Sequence, residues 1–467
     1  MEKREIVIIG AGPAGMAAAV RLNELGYRDV LVLEKENSAG GVLRQCIHSG
    51  FGLTKFGKNY TGPEYRHIYE EMLLNTDVGL MTGATVMEAV SVDTYNCSCS
   101  PEERINDSVL NVVVRAQTAS GAESFAASAV IIASGCRERG RGALGIAGTR
   151  PAGVFTAGTA QGMMNLRNVK VGNRVVIIGS GDIGLIMARR FTLEGSRVIC
   201  VVEKENVCGG LERNRRECLV DFGIPLLLNT VVCRINGRKR VTSVVIRNED
   251  GAEKEVECDT VIISAGLEPE DSFAEKNTKG MFYCGNALYV HDLVDDVSEC
   301  GENTAMDVAG FLLAQMKKKD FDSAFSSENI EEMRKKRRDY VAKIRIEKNN
   351  TKDEGRYIVC TQCPNGCRID TQNFTGGKCE KGAVFARDEV ENPKRILTSS
   401  VRISGSERTV SVRTEEAIPL SQIMQSMKVI NTMHVAVPVH TGDVICENFN
   451  NLGTRLIATG SEMSMNP

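Results

Sequence analysis

At 467 residues the chain exceeds the roughly 250 to 300 at which a single hydrophobic core stops growing, so two to four domains are expected. Its 42% apolar and 25% charged residues exclude a disordered chain, and no apolar run reaches the roughly 18 residues of a spanning helix. A net charge of -3 gives no global field to draw in nucleic acid, and no tryptophan and 5% aromatics argue against a base-stacking platform.

The strand-like Ile6–Ile9 follows Met1-Glu-Lys-Arg directly, with no apolar leader or cleavage site, and a cytoplasmic location is expected. Thiols stay reduced there, so the 16 cysteines read mostly as small buried hydrophobes and not as a disulfide scaffold.

From Glu5 to Gly41 the pattern is strand, glycine turn, alanine-rich helix, strand. Ile6–Ile9 leads into Gly10-Ala-Gly12-Pro-Ala-Gly15, a helical stretch from Met16 to Leu25, and Val30–Leu33 closed by Glu34. In such a βαβ unit the first glycine makes the turn, the second lets backbone approach a pyrophosphate, and the third lets helix pack on strand. The helix amino terminus faces the anion. Glu34 can accept from ribose hydroxyls and would repel a 2′-phosphate. A ligand-free glycine turn is the alternative, and the acid at the expected distance argues against it.

Val90 to Ala127 alternates β-type residues with polar turns, which reads as an antiparallel excursion, and Ala129–Gly135 as a buried strand ending in small residues. A second copy of the βαβ unit begins near Arg174. Val175–Ile178 precedes Gly179-Ser-Gly181-Asp-Ile-Gly184, a helix to Glu194-Gly195, and the strand Arg197–Val202 before Glu203. In both copies the acid lies 19 residues after the third glycine, and Thr260–Gly266 repeats the pattern of Ala129–Gly135. Two dinucleotide pockets are implied.

Residues 317–352 are dominated by charge, with Lys317-Lys-Lys319 and Arg334–Arg338 interleaved with acids, and read as a solvated helical linker. A small module follows from Tyr357, with β-type segments at Val401–Ile403, Thr409–Val412 and Val435–Val439. It opens with Cys360-x2-Cys363-x3-Cys367-x11-Cys379. Pro364 and Gly366 would turn the chain to aim three sulfurs at one point, and Gly376-Gly377 would bring back the fourth. Structural zinc usually takes two CxxC knuckles around a longer loop. Three close thiols and a distant fourth lie nearer an iron–sulfur arrangement, so a [4Fe-4S] cluster is favoured and zinc is the alternative.

The first βαβ unit resembles the FAD site of two-dinucleotide-binding flavoproteins, and the second the NAD(P) domain inserted in them. The resemblance implies an α/β fold of two Rossmann-like dinucleotide-binding domains plus a small cysteine-rich α+β metal-binding module. The FAD domain would take residues 1–152 and 275–325, the NAD(P) domain 153–274, a charged linker 326–352, and the four-cysteine domain 353–467. FAD contacts are implied at Gly10, Gly12, Gly15, Glu34, Gly41, Val86, Gly135, Gly285 and Asn286, the last where the family usually carries aspartate. NAD(H) contacts are implied at Gly179, Gly181, Gly184 and Glu203, with NADPH disfavoured by the carboxylate and Lys204 partly offsetting it.

Three stretches, Gly40–Gly52, Arg150–Gly158 and Cys284–Asp295, narrow the likeness. They resemble FAD/NAD oxidoreductases that accompany glycerol-3-phosphate dehydrogenases in bacteria, over roughly residues 1 to 315. The middle stretch is shared with small subunits of opine and proline dehydrogenases. The tail, with Asn392–Thr398, Ile418–Leu420 and Val437–Val444, resembles an uncharacterised four-cysteine domain often encoded beside those flavoproteins. Together these imply electron transfer between NAD(H), FAD and the tail centre, with an FAD-dependent glycerol-3-phosphate dehydrogenase or another redox protein as partner, and an oligomer. No nucleic acid or membrane span is expected.

Cys46 follows Gly40-Gly41, but no second cysteine lies within 4 residues, so a dithiol there is excluded. A lone thiol could form a mixed disulfide or a flavin adduct; the plainer reading is a small residue lining the pocket. His48 and His291 lie near the cofactor segments and could pass a proton to reduced flavin, with His291 read instead as opening a helix near Asp292. The rival readings are a reductase of a thiol, disulfide or small acceptor using Cys46 with a zinc-stabilised tail, and a non-catalytic assembly subunit.

Overall fold

The computed structural model describes residues 1–317, 334–335, 356–360 and 367–463. Among these no helix is long and apolar enough to cross a membrane. The chain forms two units: residues 1–44, 50–137 and 267–341 make the first, and residues 45–49, 138–266 and 342–467 the second.

The first unit is built on a sheet ordered Gly79–Met81, Val30–Leu33, Glu2–Ile9, Gly121–Ile132, Val112–Thr118, Thr85–Ser91. Ile6–Ile9 pairs in parallel with Val30–Leu33 on one side and Ala129–Ile132 on the other. All three runs are β-branched or aliphatic and buried, as strands covered on both faces must be. The excursion from Val90 to Ala127 is antiparallel as expected: Thr85–Ser91 pairs with Val112–Thr118, which pairs with Gly121–Ala127. The late strand Met281–Tyr283 joins in parallel beside Val130–Ile132. Two helices, Pro13–Glu24 and Val294–Met316, cross on one face so closely that a Cβ on Gly301 would sit 2.1 Å from the Ala14 carbonyl oxygen.

The expectation that His291 opens a helix near Asp292 is corrected. The helix starts at Val294. The His291 ring instead stacks on Tyr289 at 4.2 Å, and its backbone N–H donates to Asn286 Oδ1. The helix start is marked by Asp295, whose carboxylate accepts from the backbone N–H groups of Gly52, Thr54 and Lys55. Arg334 is likewise no solvated linker residue. Its guanidinium donates to the Ala287 and Leu288 carbonyls and pairs with Asp271 at 3.0 Å. The remainder of the charged run from 318 to 352 lies outside the described residues.

The second unit carries a parallel sheet ordered Val154–Thr156, Thr260–Ile263, Arg174–Ile178, Arg197–Val202, Leu226–Leu227, with a four-stranded sheet beside it. The tail module belongs to this same unit. Its sheet runs His434–Val435, Thr398–Ile403, Thr409–Thr414, Leu456–Ala458, Val444–Cys446. Its core, including Leu397, Val412, Met427 and Phe449, also encloses Leu193 from the end of the Asp182–Leu193 helix. Buried Arg395 donates to Asp221 Oδ2 at 2.7 Å and to Glu389 Oε2 at 2.8 Å, and Arg216 also donates to Glu389. Deleting one partner of such a buried network leaves an uncompensated charge and costs about 3–5 kcal/mol. These contacts therefore fix the tail helix Glu380–Glu391 on the strands and helices that precede it in the unit.

Candidate functional site: two dinucleotide loops and a cysteine lobe

The glycines of the first loop show three different steric situations. A Cβ on Gly10, held at φ +104, would meet the Ala133 carbonyl oxygen at 2.5 Å, and one on Gly15 would meet the Gly10 oxygen at 1.9 Å. Gly12 has nothing within 4 Å of its Cβ direction. The first and third glycines are thus closed by protein, while the second faces open space at the amino end of the Pro13–Glu24 helix, where a pyrophosphate would approach. Glu34 lies buried at the end of its strand and accepts from Ala11 N–H at 2.8 Å and Glu36 N–H at 2.9 Å. Each carboxylate oxygen keeps a lone pair for a ribose hydroxyl.

The second loop repeats this arrangement. Cβ atoms on Gly179 and Gly184 would strike the Ser264 oxygen at 2.1 Å and the Gly179 oxygen at 2.7 Å, while Gly181 again faces nothing within 4 Å. Glu203 accepts from Ser180 N–H at 2.9 Å, Ser180 Oγ at 2.7 Å and Glu205 N–H at 3.1 Å. The correspondence runs further than the glycines and the acid. Gly10, Gly12, Gly15, Glu34, Gly40 and Gly41 recur 169 residues later as Gly179, Gly181, Gly184, Glu203, Gly209 and Gly210. Sequence reasoning missed Gly209-Gly210, although the constant offset was there to be counted. In the first copy Gly40 N–H donates to the Ala11 carbonyl, and Gly41 sits with its Cβ direction 3.2 Å from Gly12 Cα. In the second, Gly209 N–H donates to Ser180 Oγ, and Asp182 accepts from Leu211 N–H and Asn214 Nδ2.

Gly135, at φ +77, faces open space. A Cβ on Gly285 would meet Ala14 Cβ at 2.7 Å, so the late strand delivers this glycine against the start of the first helix. The Asn286 side chain is engaged by His291 and reaches toward Cys136 at 3.7 Å. Val86 lies part-buried on Thr85–Ser91, opposite Ala116.

Cys46 and His48 fall in the short Gln45–Ser49 segment of the second unit. The Cys46 thiol points to Gln161 Oε1 at 3.7 Å, and burial pushes it up to about 12. His48 is lowered to about 4, first by burial and then by the field of Arg213 and Arg189. Neither is poised as an ionised group near neutral pH. In the tail, Cys360 N–H donates to the Cys367 carbonyl, and Cys379 immediately precedes the Glu380–Glu391 helix. A Cβ on Gly382 in the first turn of that helix would lie 3.9 Å from Cys360 Sγ. Gly376, at φ +103, packs with its Cβ direction 2.4 Å from the Arg368 carbonyl oxygen. Cys363 lies outside the described residues, and among those described no three His, Cys, Asp or Glu side chains gather to hold a metal ion.

Two parallel-sheet nucleotide loops of this kind define a two-dinucleotide-binding α/β protein. The chain belongs to the pyridine nucleotide-disulphide oxidoreductase family, which it matches over residues 4–292. Residues 380–460 match a second family, DUF1667, of unknown function. The first region is 29% identical over 287 residues to an NAD(P)H sulfur oxidoreductase (CoA-dependent) of Pyrococcus abyssi, and 28% identical over 288 residues to an NAD(P)H coenzyme A polysulfide/persulfide reductase of Pyrococcus horikoshii. Each match covers 59% of this chain and 56% of the relative, so the chain spans just over half the length of these proteins. The fold is similar to that of T. acidophilum thioredoxin reductase, with a TM-score of 0.53 at 21% identity, over 68% of this chain and 100% of the other.

Proposed function

We propose that the chain is an FAD-dependent NAD(P)H oxidoreductase, with FAD at the Gly10–Gly15 loop, NADH at the Gly179–Gly184 loop, and electrons passed between them and a centre on the tail cysteines. The observation that carries this is the matched pair of loops, each with a second glycine facing open space and a buried acid beside it. Bound FAD would supply a hydride acceptor that can also exchange single electrons. The chain's own part is to bind and orient. Backbone N–H groups at each helix start would neutralise a pyrophosphate, and Glu34 and Glu203 would fix the riboses and disfavour a 2′-phosphate. Cys360, Cys363, Cys367 and Cys379 would hold a [4Fe-4S] cluster or zinc, since an all-thiolate donor set suits both. An FAD-dependent glycerol-3-phosphate dehydrogenase is proposed as the redox partner, on the resemblance of the three flavoprotein stretches.

Anaerobic purification followed by stopped-flow mixing with NADH tests this reading. Bound flavin that NADH bleaches, and that glycerol 3-phosphate alone does not, is the expected result. Absence of flavin, or direct bleaching by glycerol 3-phosphate, would overturn it. Iron and acid-labile sulfide analysis on the same sample distinguishes cluster from zinc.

The names of the two Pyrococcus relatives favour a second reading, reduction of a sulfur or thiol acceptor at Cys46. The environment of Cys46 opposes it, because burial raises this thiol and thiolate is the reactive form. Under the proposed function, Cys46→Ser keeps NADH-driven reduction of an artificial acceptor within about threefold of the parent. A loss of all turnover with flavin retained would favour the thiol reading.

A further inference from the structure

Within the second unit, a cavity lies among the Gln45–Ser49 segment, the helices Asp182–Leu193 and Glu212–Cys218, and Thr398 of the tail sheet. Its volume is about 40 Å³, several times what one water requires. Three guanidinium groups line it, Arg189, Arg190 and Arg213, against one carboxylate, Glu217.

These four groups are unequally used. Arg190 is spent on structure: Nε donates to Asn165 Oδ1 at 2.8 Å, the two terminal nitrogens donate to Ser399 and Ser400 Oγ at 3.0 Å, and Glu194 balances its charge. Arg213 donates to Glu217 through Nε at 3.1 Å. Arg189 reaches the Ile396 carbonyl through one terminal nitrogen, and the other stands 4.0 Å from Glu217. Its Nε is buried and donates to nothing among the described residues. A buried donor left unmade costs about 1–3 kcal/mol, and more when it is charged. One carboxylate cannot neutralise two guanidinium groups, so the cavity keeps an excess of positive charge. The depressed His48 imidazole on its wall registers the same field from Arg213 and Arg189.

We propose that this cavity binds a small oxyanion, a carboxylate or a phosphate, through Arg189 and Arg213. A guanidinium fork presents parallel N–H groups to two oxygens, which water cannot match in charge. The anion would sit where three pieces of the unit meet. Asn165, which accepts from Arg190, also donates to the Gln45 carbonyl at 2.9 Å, so the Cys46–His48 segment and the tail sheet are tied to the same helix that carries Arg189. The site lies beside the second nucleotide loop, which it touches through Asn214, the donor to Asp182, and not in the open space at Gly181.

The test is isothermal titration calorimetry on the FAD-loaded protein saturated with NAD⁺, so that the pyrophosphate loops are filled, with inorganic phosphate and acetate added separately at constant ionic strength. Saturable binding of at least one anion is expected, weakened at least about tenfold by Arg189→Gln and by Arg213→Gln. It should be unchanged by Arg402→Gln on the exposed face of the tail sheet. Whichever anion binds identifies the class. Should both arginine variants fail to fold, the unmodified protein decides: the His48 imidazole resonance must move on titration. No saturable binding, a stationary His48 resonance, or binding indifferent to both arginine variants overturns the proposal.

Discussion

The residue following the open glycine is Pro13 in the first nucleotide loop and Asp182 in the second. In the first, the Gly40-Gly41 turn is drawn onto the loop by a backbone bond, Gly40 N–H to the Ala11 carbonyl at 2.7 Å. In the second, side chains do this work: Ser180 Oγ accepts from Gly209 N–H, and Asp182 holds Leu211 N–H and Asn214. One steric frame therefore carries two kinds of closure. A backbone closure offers no side-chain atom to remove, and Gly40, at φ +112 with Arg66 2.4 Å from its Cβ direction, resists any larger residue, whereas a closure made by Asp182 and Ser180 can be altered one atom at a time.

The largest effect that would break this comparison is at the third glycines. Gly15→Ala forces a Cβ into the Gly10 oxygen and should cost about 3 kcal/mol or more, giving protein without flavin. Gly184→Ala should spare the flavin and abolish NADH-driven bleaching; flavin loss in both variants would mean that the loops do not act separately. Next come the open glycines. Gly12→Ala and Gly181→Ala meet no protein atom, so melting should shift by less than about 1 kcal/mol while each weakens only its own nucleotide by about tenfold or more. Flavin content against NADH KM separates the two. Asp182→Ala should be milder, raising the KM for NADH about three- to tenfold with flavin content unchanged.

The effect confined to acid pH concerns His48, whose counterpart 169 residues on is Glu217, on the wall of the same cavity. A histidine lowered from 6.5 to about 4 binds fewer protons folded than unfolded, so its share of stability is present above pH 6.5 and is lost as pH falls toward 4. His48→Gln should flatten the fall in melting temperature across that window. An unchanged slope would show that His48 titrates as an exposed imidazole.

The glycine loops and their acids were legible because sterics leave few substitutes: a Cβ at Gly10 or Gly179 has nowhere to go. The parallel strands were legible from buried β-branched runs such as Val175–Ile178. Asn165, Arg190, Arg395 and Asp221 were not, because each is an ordinary polar residue whose partner lies far along the chain, as Arg190 and Ser399 do. No spacing rule connects such pairs. The helix near Asp292 is legible from its acidic first turn, but the place of His291 is not, because its ring stacks on Tyr289 and its backbone N–H bonds Asn286, contacts that no spacing rule gives.

Leu193 closes one helix of the nucleotide fold and is counted at the same time in the core of the tail. A recombinant fragment stopping near Met316 would expose that leucine, strand Arg190 without Ser399 and Ser400, and leave Asp221 facing solvent without Arg395. Such a fragment should be sticky and poorly soluble on its own, and co-expression with residues 353–467 as a separate polypeptide should rescue it. The tail segment thus completes a core begun by the Asp182–Leu193 helix, and within that unit it is a structural part and not an appendage.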